Sequence, residues 1–262
     1  MVNFTFSFES IEYLLLIFVR IVTFISVAPF FSNRGFPNRT KIGFSAFVAI
    51  MLNFAIPAVQ IQYSGIIEYA TIVLKEAIVG LLIGFAANIC SSIVVFAGKI
   101  IDTDMGLSMM TMFDPQSQEN ASISGMFYNY LVLMMLVVTS MDQYILRALV
   151  DSYTLVPINQ AIFNYDSLLQ AMLSYLQAYL VIGFRIALPV FASILIVNVV
   201  LGILAKVAPQ MNMFAVGIQI KLLVGLLIML IIISLIPSVS NFIFKEMKTL
   251  IVQMIEGMYP HG

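Results

Sequence analysis

The sequence predicts an all-α protein, a polytopic integral-membrane chain, and two observations carry that prediction. Apolar residues make up 61% of the 262 and charged residues 10%, where a soluble domain carries about 25% charged, so most of the surface must meet lipid or apolar protein. The apolar residues also gather into long uncharged runs without period-two alternation, unlike the segments of an outer-membrane barrel. Since about 20 mostly apolar residues cross about 30 Å of hydrocarbon as a helix, the runs predict about six hydrophobic helices arranged with helical hairpins.

Taken in order, residues 13–31 are apolar apart from Arg20 and stop at Ser32, Asn33, Arg34 and Gly35. Residues 42–59 form a second, shorter run. Residues 66–96 make a long run broken by Lys75 and Glu76, after which 77–98 contains no charge and is long enough to span by itself. The polar stretch 102–119 reads as a loop before the uncharged 120–141. In 142–177, Ile145, Leu149 and Tyr153 recur at helical spacing with Asp142, Arg147 and Asp151 interrupting, which predicts an amphipathic helix at an interface or against partners. Asp166 and Ser167 read as the N-cap of a helix entering 168–205, and 222–244 is the last long run. No long linker separates these stretches, so a single domain over 1–262 is expected, with packed loops, because unpaired amides in lipid cost several kcal/mol.

Residues 1–13 carry Glu9 and Glu12 and no lysine or arginine, which predicts no cleaved signal peptide. Arg34, Arg39 and Lys41 form the densest basic cluster, and the positive-inside rule places that loop in the cytoplasm.

Several functions are disfavoured by composition. Twelve basic residues against 13 acidic leave no excess to neutralise phosphates, so no nucleic-acid partner is expected. Cys90, the single cysteine, lies in an apolar run and reads as a buried small hydrophobe; His261, the single histidine, is next to last. No metal and no cofactor are therefore expected. The chain has no GxxxxGK[ST] pattern and no usable histidine for a serine nucleophile, so no catalytic residues are assigned.

Arg20, Arg185 and Lys221 each interrupt an apolar stretch, where a charge at the membrane centre costs at least ~2.5 kcal/mol. Each should have a partner, either across subunits or within the membrane, with Glu76 and Asp102 as candidates; snorkelling to a helix end is the plainer alternative. Gly80 and Gly84 have the GxxxG spacing that lets a second backbone approach closely. Residues 105–115 hold four methionines, and flexible thioethers suit either a deformable seal or a plain gap-filling loop. Pro209, Gln210, Met211 and Asn212 break the last apolar region as a tight turn between helices would. Intramembrane charges also suit a secondary transporter for a small solute or ion, although no clear inverted repeat is visible.

Three segments resemble the FliR and SctT family of type III secretion. Pro29, Phe30, Phe31, Ser32, Asn33, Arg34, Gly35, Phe36 and Pro37 look like the segment that follows that family's first helix. Lys206, Val207, Ala208, Pro209, Gln210, Met211, Asn212, Met213 and Phe214, followed by Gly217 and Lys221, resemble its hairpin turn. Leu188, Pro189, Asn198, Gly202 and Ile203 fit the helix leading into it. One departure lies within 140–147, where many relatives carry a Gly-His pair and this chain has Asp142 and Gln143, so no role of that histidine transfers.

The resemblance implies a non-enzymatic structural subunit of the flagellar type III protein export gate, needed for flagellum assembly. It would assemble with FliP-like and FliQ-like subunits around a protein-conducting channel and work with FlhB-like and FlhA-like export proteins. Its place would be the bacterial inner (cytoplasmic) membrane at the flagellar basal body, its cargo unfolded export substrates, and its energy the proton motive force and a separate ATPase. The resemblance further implies that Gly106, Met109, Met110, Met112 and Phe113 help to plug the closed channel.

Overall fold

A computed structural model describes residues 8–31, 37–56, 63–108, 122–210 and 212–259. Among these residues the secondary structure is helical throughout, with no strand. The helices are α1 (Phe8–Val27), α2 (Asn38–Ala55), α3 (Ile66–Ala87), α4 (Ile89–Met105), α5 (Ile123–Val138), α6 (Met141–Leu155), α7 (Tyr165–Val207), α8 (Met213–Ile233) and α9 (Ile236–Glu256).

Among the described residues, three helices are long and apolar enough to cross a membrane: Ile66–Ala87, Tyr165–Val207 and Phe214–Ile233. The number becomes four if Ile123–Val138 and Met141–Leu155 form one broken span. The polytopic helical class is as expected, and two of the apolar runs are each divided between two helices. Residues 66–96 break at Asn88, whose N–H returns to the Gly84 carbonyl at 2.9 Å, so the uncharged 77–98 is not one helix. Residues 222–244 break at Ser234 and Leu235, and Pro237 then sits in the first turn of α9, where its missing N–H costs nothing. Polar 102–105, expected as loop, is the last turn of α4.

The cap of α7 also differs from expectation. Asn164 accepts from the amides of Asp166 and Ser167 at 3.1 and 3.2 Å, so those two residues donate to the cap and do not provide it.

The packing separates into two compact units. The first comprises Met1–Ile89, Ser140–Tyr175 and Glu246–Gly262. In it α1 packs on both α2 and α3. Tyr69 meets Glu12, Gly80 lies over Arg20 and Gly84 over Phe24, an order that makes α1 and α3 parallel. The GxxxG spacing serves this contact: a Cβ on Gly80 would lie 2.1 Å from the Arg20 carbonyl oxygen, and one on Gly84 2.8 Å from that of Phe24. The stripe Ile145, Leu149 and Tyr153 of α6 is buried, and Tyr153 donates to the Ile17 carbonyl at 3.1 Å. The segment after α6 pairs with the end of α9, the Ile162 and Asn164 amides donating to the Met258 and Gly257 carbonyls.

The second unit comprises Cys90–Thr139 and Leu176–Lys245. Here α4 and α5 cross closely, since a Cβ on Gly98 would lie 2.1 Å from the Gly125 Cα. Phe96 stacks on Tyr179 with ring centroids 4.7 Å apart, and Gly183 leaves room for that ring. Tyr128 donates to the Met229 carbonyl at 3.2 Å, tying α5 to α8. Cys90 is fully buried, as a small hydrophobe would be.

Candidate functional site

The strongest electrostatic feature lies in the first unit. A guanidinium keeps its charge throughout the accessible pH range and carries five donors, so an apolar helix that buries one must supply acceptors. Arg20 on α1 is fully buried, and Glu76 on α3, also fully buried, meets it. Glu76 Oε2 accepts from Nε at 2.7 Å and lies 2.6 Å from Nη2. Nη1 donates to the Ser152 and Val156 carbonyls at 3.3 and 3.0 Å, and Nη2 donates to Val156 at 3.1 Å. These carbonyls end α6, where the helix dipole concentrates negative charge. The Tyr153 ring lies 4.2 Å below the guanidinium carbon, adding a cation–π contact.

Glu76 completes the arrangement with its second oxygen. Oε1 accepts the Asn159 amide at 3.0 Å, at a turn where Asn159 takes a left-handed φ of 68°. Asparagine tolerates that conformation better than most residues. The result is a charge lock: one neutralised pair fastens α1, α3, the end of α6 and the following turn. The partner that the sequence demanded for Arg20 is thus in the same chain. Tyr153 was visible as a stripe residue, whereas Val156 and Asn159 meet the pair through their backbone and Ser152 through its carbonyl and, at 3.4 Å, its hydroxyl, contacts that no sequence pattern announces.

In the second unit the carboxylate of Asp102 has a different use. It is 5% exposed and accepts the Ser124 amide at the start of α5, 3.2 Å from Oδ1. Ser122 Oγ accepts the Gly125 amide at 2.8 Å, so two side chains cap one helix start. Asp102, considered as an ion-pair partner, serves as a helix cap. The signal that could have shown a helix start here is Ser122, a capping residue type near the beginning of the uncharged 120–141.

Past Asp102, the last turn of α4 leads into the methionine-rich segment. Met105 is buried beside Gly225, Gly106 ends the helix with φ 84°, and Leu107 is buried. Glycine fits that left-handed position without a Cβ penalty. Met109, Met110, Met112 and Phe113 lie outside the described residues, as do Arg34, Met211 and His261.

Lys221 is half-buried on α8. Burial raises the Asp104 carboxyl above its ordinary range while the Lys221 charge lowers it. Arg185 is exposed on α7, its guanidinium carbon 5.9 Å from the centroid of the Phe242 ring. The Arg20–Glu76 bridge is the ion pair found among the described residues, and neither Arg185 nor Lys221 has a carboxylate within 4.0 Å there. For an arginine in an apolar helix centre, costing about 2.5–3.5 kcal/mol, a cation–π contact worth about 0.5–1 kcal/mol at an exposed site is a partial offset.

Pro209 and Gln210 form the turn between α7 and α8. Asn212 caps α8, accepting the Ala215 amide at 3.4 Å, and Leu201 packs on Gly217 to close the hairpin. Among the described residues no three of His, Cys, Asp and Glu gather as a metal site.

The fold and these contacts define a helical membrane protein in which buried charge holds helices together while broad apolar helix faces remain exposed. The chain belongs to the bacterial export proteins, family 1, whose model matches residues 11–247. It is similar to the flagellar biosynthetic protein FliR of Bacillus subtilis, 30% identical over 236 residues that cover 88% of this chain and 90% of that one. It is likewise similar to FliR of Pectobacterium carotovorum, 29% identical over 91% of this chain and 90% of the relative. FliR of Escherichia coli is 28% identical over 92% of this chain and 91% of the relative.

Proposed function

We propose that this chain is a structural subunit of the flagellar type III protein export gate, placed in the bacterial inner membrane at the flagellar basal body. The observation that carries the reading is similarity to flagellar biosynthetic proteins over about nine-tenths of both chains, joined to a family match that runs almost from end to end. The whole chain, both compact units included, acts as one export-gate domain. It assembles with FliP-like and FliQ-like subunits, works with FlhB-like and FlhA-like export proteins, and gives unfolded substrates a path while performing no chemistry of its own.

The charge lock suits a subunit that must hold its helices in register while its neighbours exert force on them. The segment beginning at Gly106 is the closed-state seal, with Met109, Met110, Met112 and Phe113 as its deformable part; burial of Met105 just before it and of Leu107 at its start supports that role. Pro209, Gln210 and Asn212 shape the hairpin tip. The transporter alternative draws no support from the family or the relatives, all of them concerned with export or flagellar biosynthesis.

The test is affinity purification of the tagged chain in mild detergent, with and without coexpressed FliP-like and FliQ-like subunits, followed by mass measurement of the intact assembly. A discrete heteromeric complex is expected. A chain that stays stable alone and ignores those subunits would overturn the reading.

A further inference from the structure

We infer that Arg185 marks a docking face for a helix of another export-complex subunit, one that presents a carboxylate within an otherwise apolar surface; the inference rests on the proposed function above. Arg185 lies in an exposed apolar stripe of α7, with Val181, Phe184 and Leu188 exposed by 58%, 53% and 59% at neighbouring helical positions. The Phe242 ring centroid lies 5.9 Å from the guanidinium carbon, and a phenyl ring carries no lone pair to match the guanidinium N–H groups. Among the described residues no carboxylate reaches it. Asp102, the buried carboxylate of the same unit, is already bound to the start of α5.

The contrast with Arg20 makes the point physically. Both arginines interrupt apolar helices, and Arg20 has a carboxylate and two carbonyls around it. Arg185 has an aromatic ring and an open side. A carboxylate matches the planar fork of a guanidinium in a bidentate pair that is stronger in apolar surroundings.

A lipid phosphate is the competing counter-charge, and the sequence argues against it. Residues 167–184 and 186–205 are both uncharged, so about 27–30 Å of uncharged, mostly apolar helix extends from Arg185 in each direction. A bilayer that brought its headgroups to Arg185 would cover one of these halves and leave the other bare, including Leu173 and Leu176, exposed by 57% and 52%. A partner helix laid along the face covers both halves and neutralises the charge between them.

The experiment uses the intact complex carrying Arg185→Lys, treated with the membrane-permeant dicyclohexylcarbodiimide. The carbodiimide activates a carboxyl group, the lysine amine displaces it as the urea, and an amide bond records the contact. The expected result is a cross-link from position 185 to an Asp or Glu of a different subunit, absent from the wild-type complex because guanidinium does not couple. Arg185→Glu should lower retention of that subunit by about tenfold or more, while protease resistance of the purified chain stays at the wild-type level. The inference is overturned if the complex assembles and position 185 couples to nothing or to this chain alone. It is also overturned if Arg185→Glu changes the co-purifying phospholipid and leaves subunit retention intact. A wild-type chain that forms no complex defeats the proposed function itself, and that result is seen before any cross-linker is added.

Discussion

Arg20 and Glu76, 56 residues apart in the chain, meet at 2.6 Å with neither side chain exposed. Two buried charges are costly to desolvate, and their attraction offsets that cost only when the remaining donors and acceptors are also satisfied. Here the α6 carbonyls and the Asn159 amide satisfy them. Arg20→Ala or Glu76→Ala alone should therefore destabilise the first unit by about 3–5 kcal/mol. The double change Arg20→Met with Glu76→Leu should recover a large part of that loss. Thermal unfolding in detergent measures the series, and single variants as stable as wild type would remove the lock from the account.

The approach of α1 to α3 makes a graded prediction at three glycines. Gly80→Ala drives a methyl into the Arg20 carbonyl and Gly84→Ala presses less severely on Phe24, whereas Gly43 on α2 has open space around its would-be Cβ. Overpacking costs about 1–3 kcal/mol, so Gly80→Ala should be the most harmful and Gly84→Ala milder. Gly43→Ala should add about 0.5–1 kcal/mol of stability through helix propensity. Membrane abundance and unfolding temperature should follow that order.

Caps can be separated from bystanders by side-chain truncation. Ser122→Ala, Asp102→Ala and Asn164→Ala each remove an acceptor from a helix start, and each should cost about 1 kcal/mol. Asp166→Ala removes a charge from the first turn of α7 and no cap acceptor, so it should cost only about 0.3–1 kcal/mol at low salt and less when screened. Unfolding midpoints at two salt concentrations distinguish the two behaviours.

The seal makes a prediction of its own. Deleting residues 106–115 from an otherwise assembled complex should raise ion leakage across reconstituted bilayers, because a deformable apolar plug excludes ions when closed. Unchanged conductance in a correctly assembled complex would count against the seal.

What the sequence made legible follows from which energies are large. Buried charge in an apolar run is expensive, so Glu76 stood beside Asp102 as a candidate partner for Arg20, Arg185 and Lys221, with snorkelling as the alternative; which carboxylate meets which cation was not legible. The Pro209–Asn212 turn announced itself through proline and a capping amide. The division at Asn88 was not legible, because one asparagine in an apolar run is compatible with a continuous helix. The division before α9 had a readable sign in Ser234 and Pro237, which apolar run length overrode. Asp166 was mistaken for a cap because Asn164, two residues earlier, is an equally good capping type, and only geometry shows that the Asn164 side chain takes the Asp166 and Ser167 amides. The backbone groups that surround Arg20 had no residue signature at all.

The central claim is that this chain is needed for flagellar protein export, and the most direct measurement is substrate secretion by the bacterium that encodes it, with the gene deleted and then restored. The account predicts that flagellar export substrates disappear from the medium on deletion, while other membrane proteins remain in place, and reappear when the wild-type gene is supplied. Undiminished secretion by the deletion strain would contradict it.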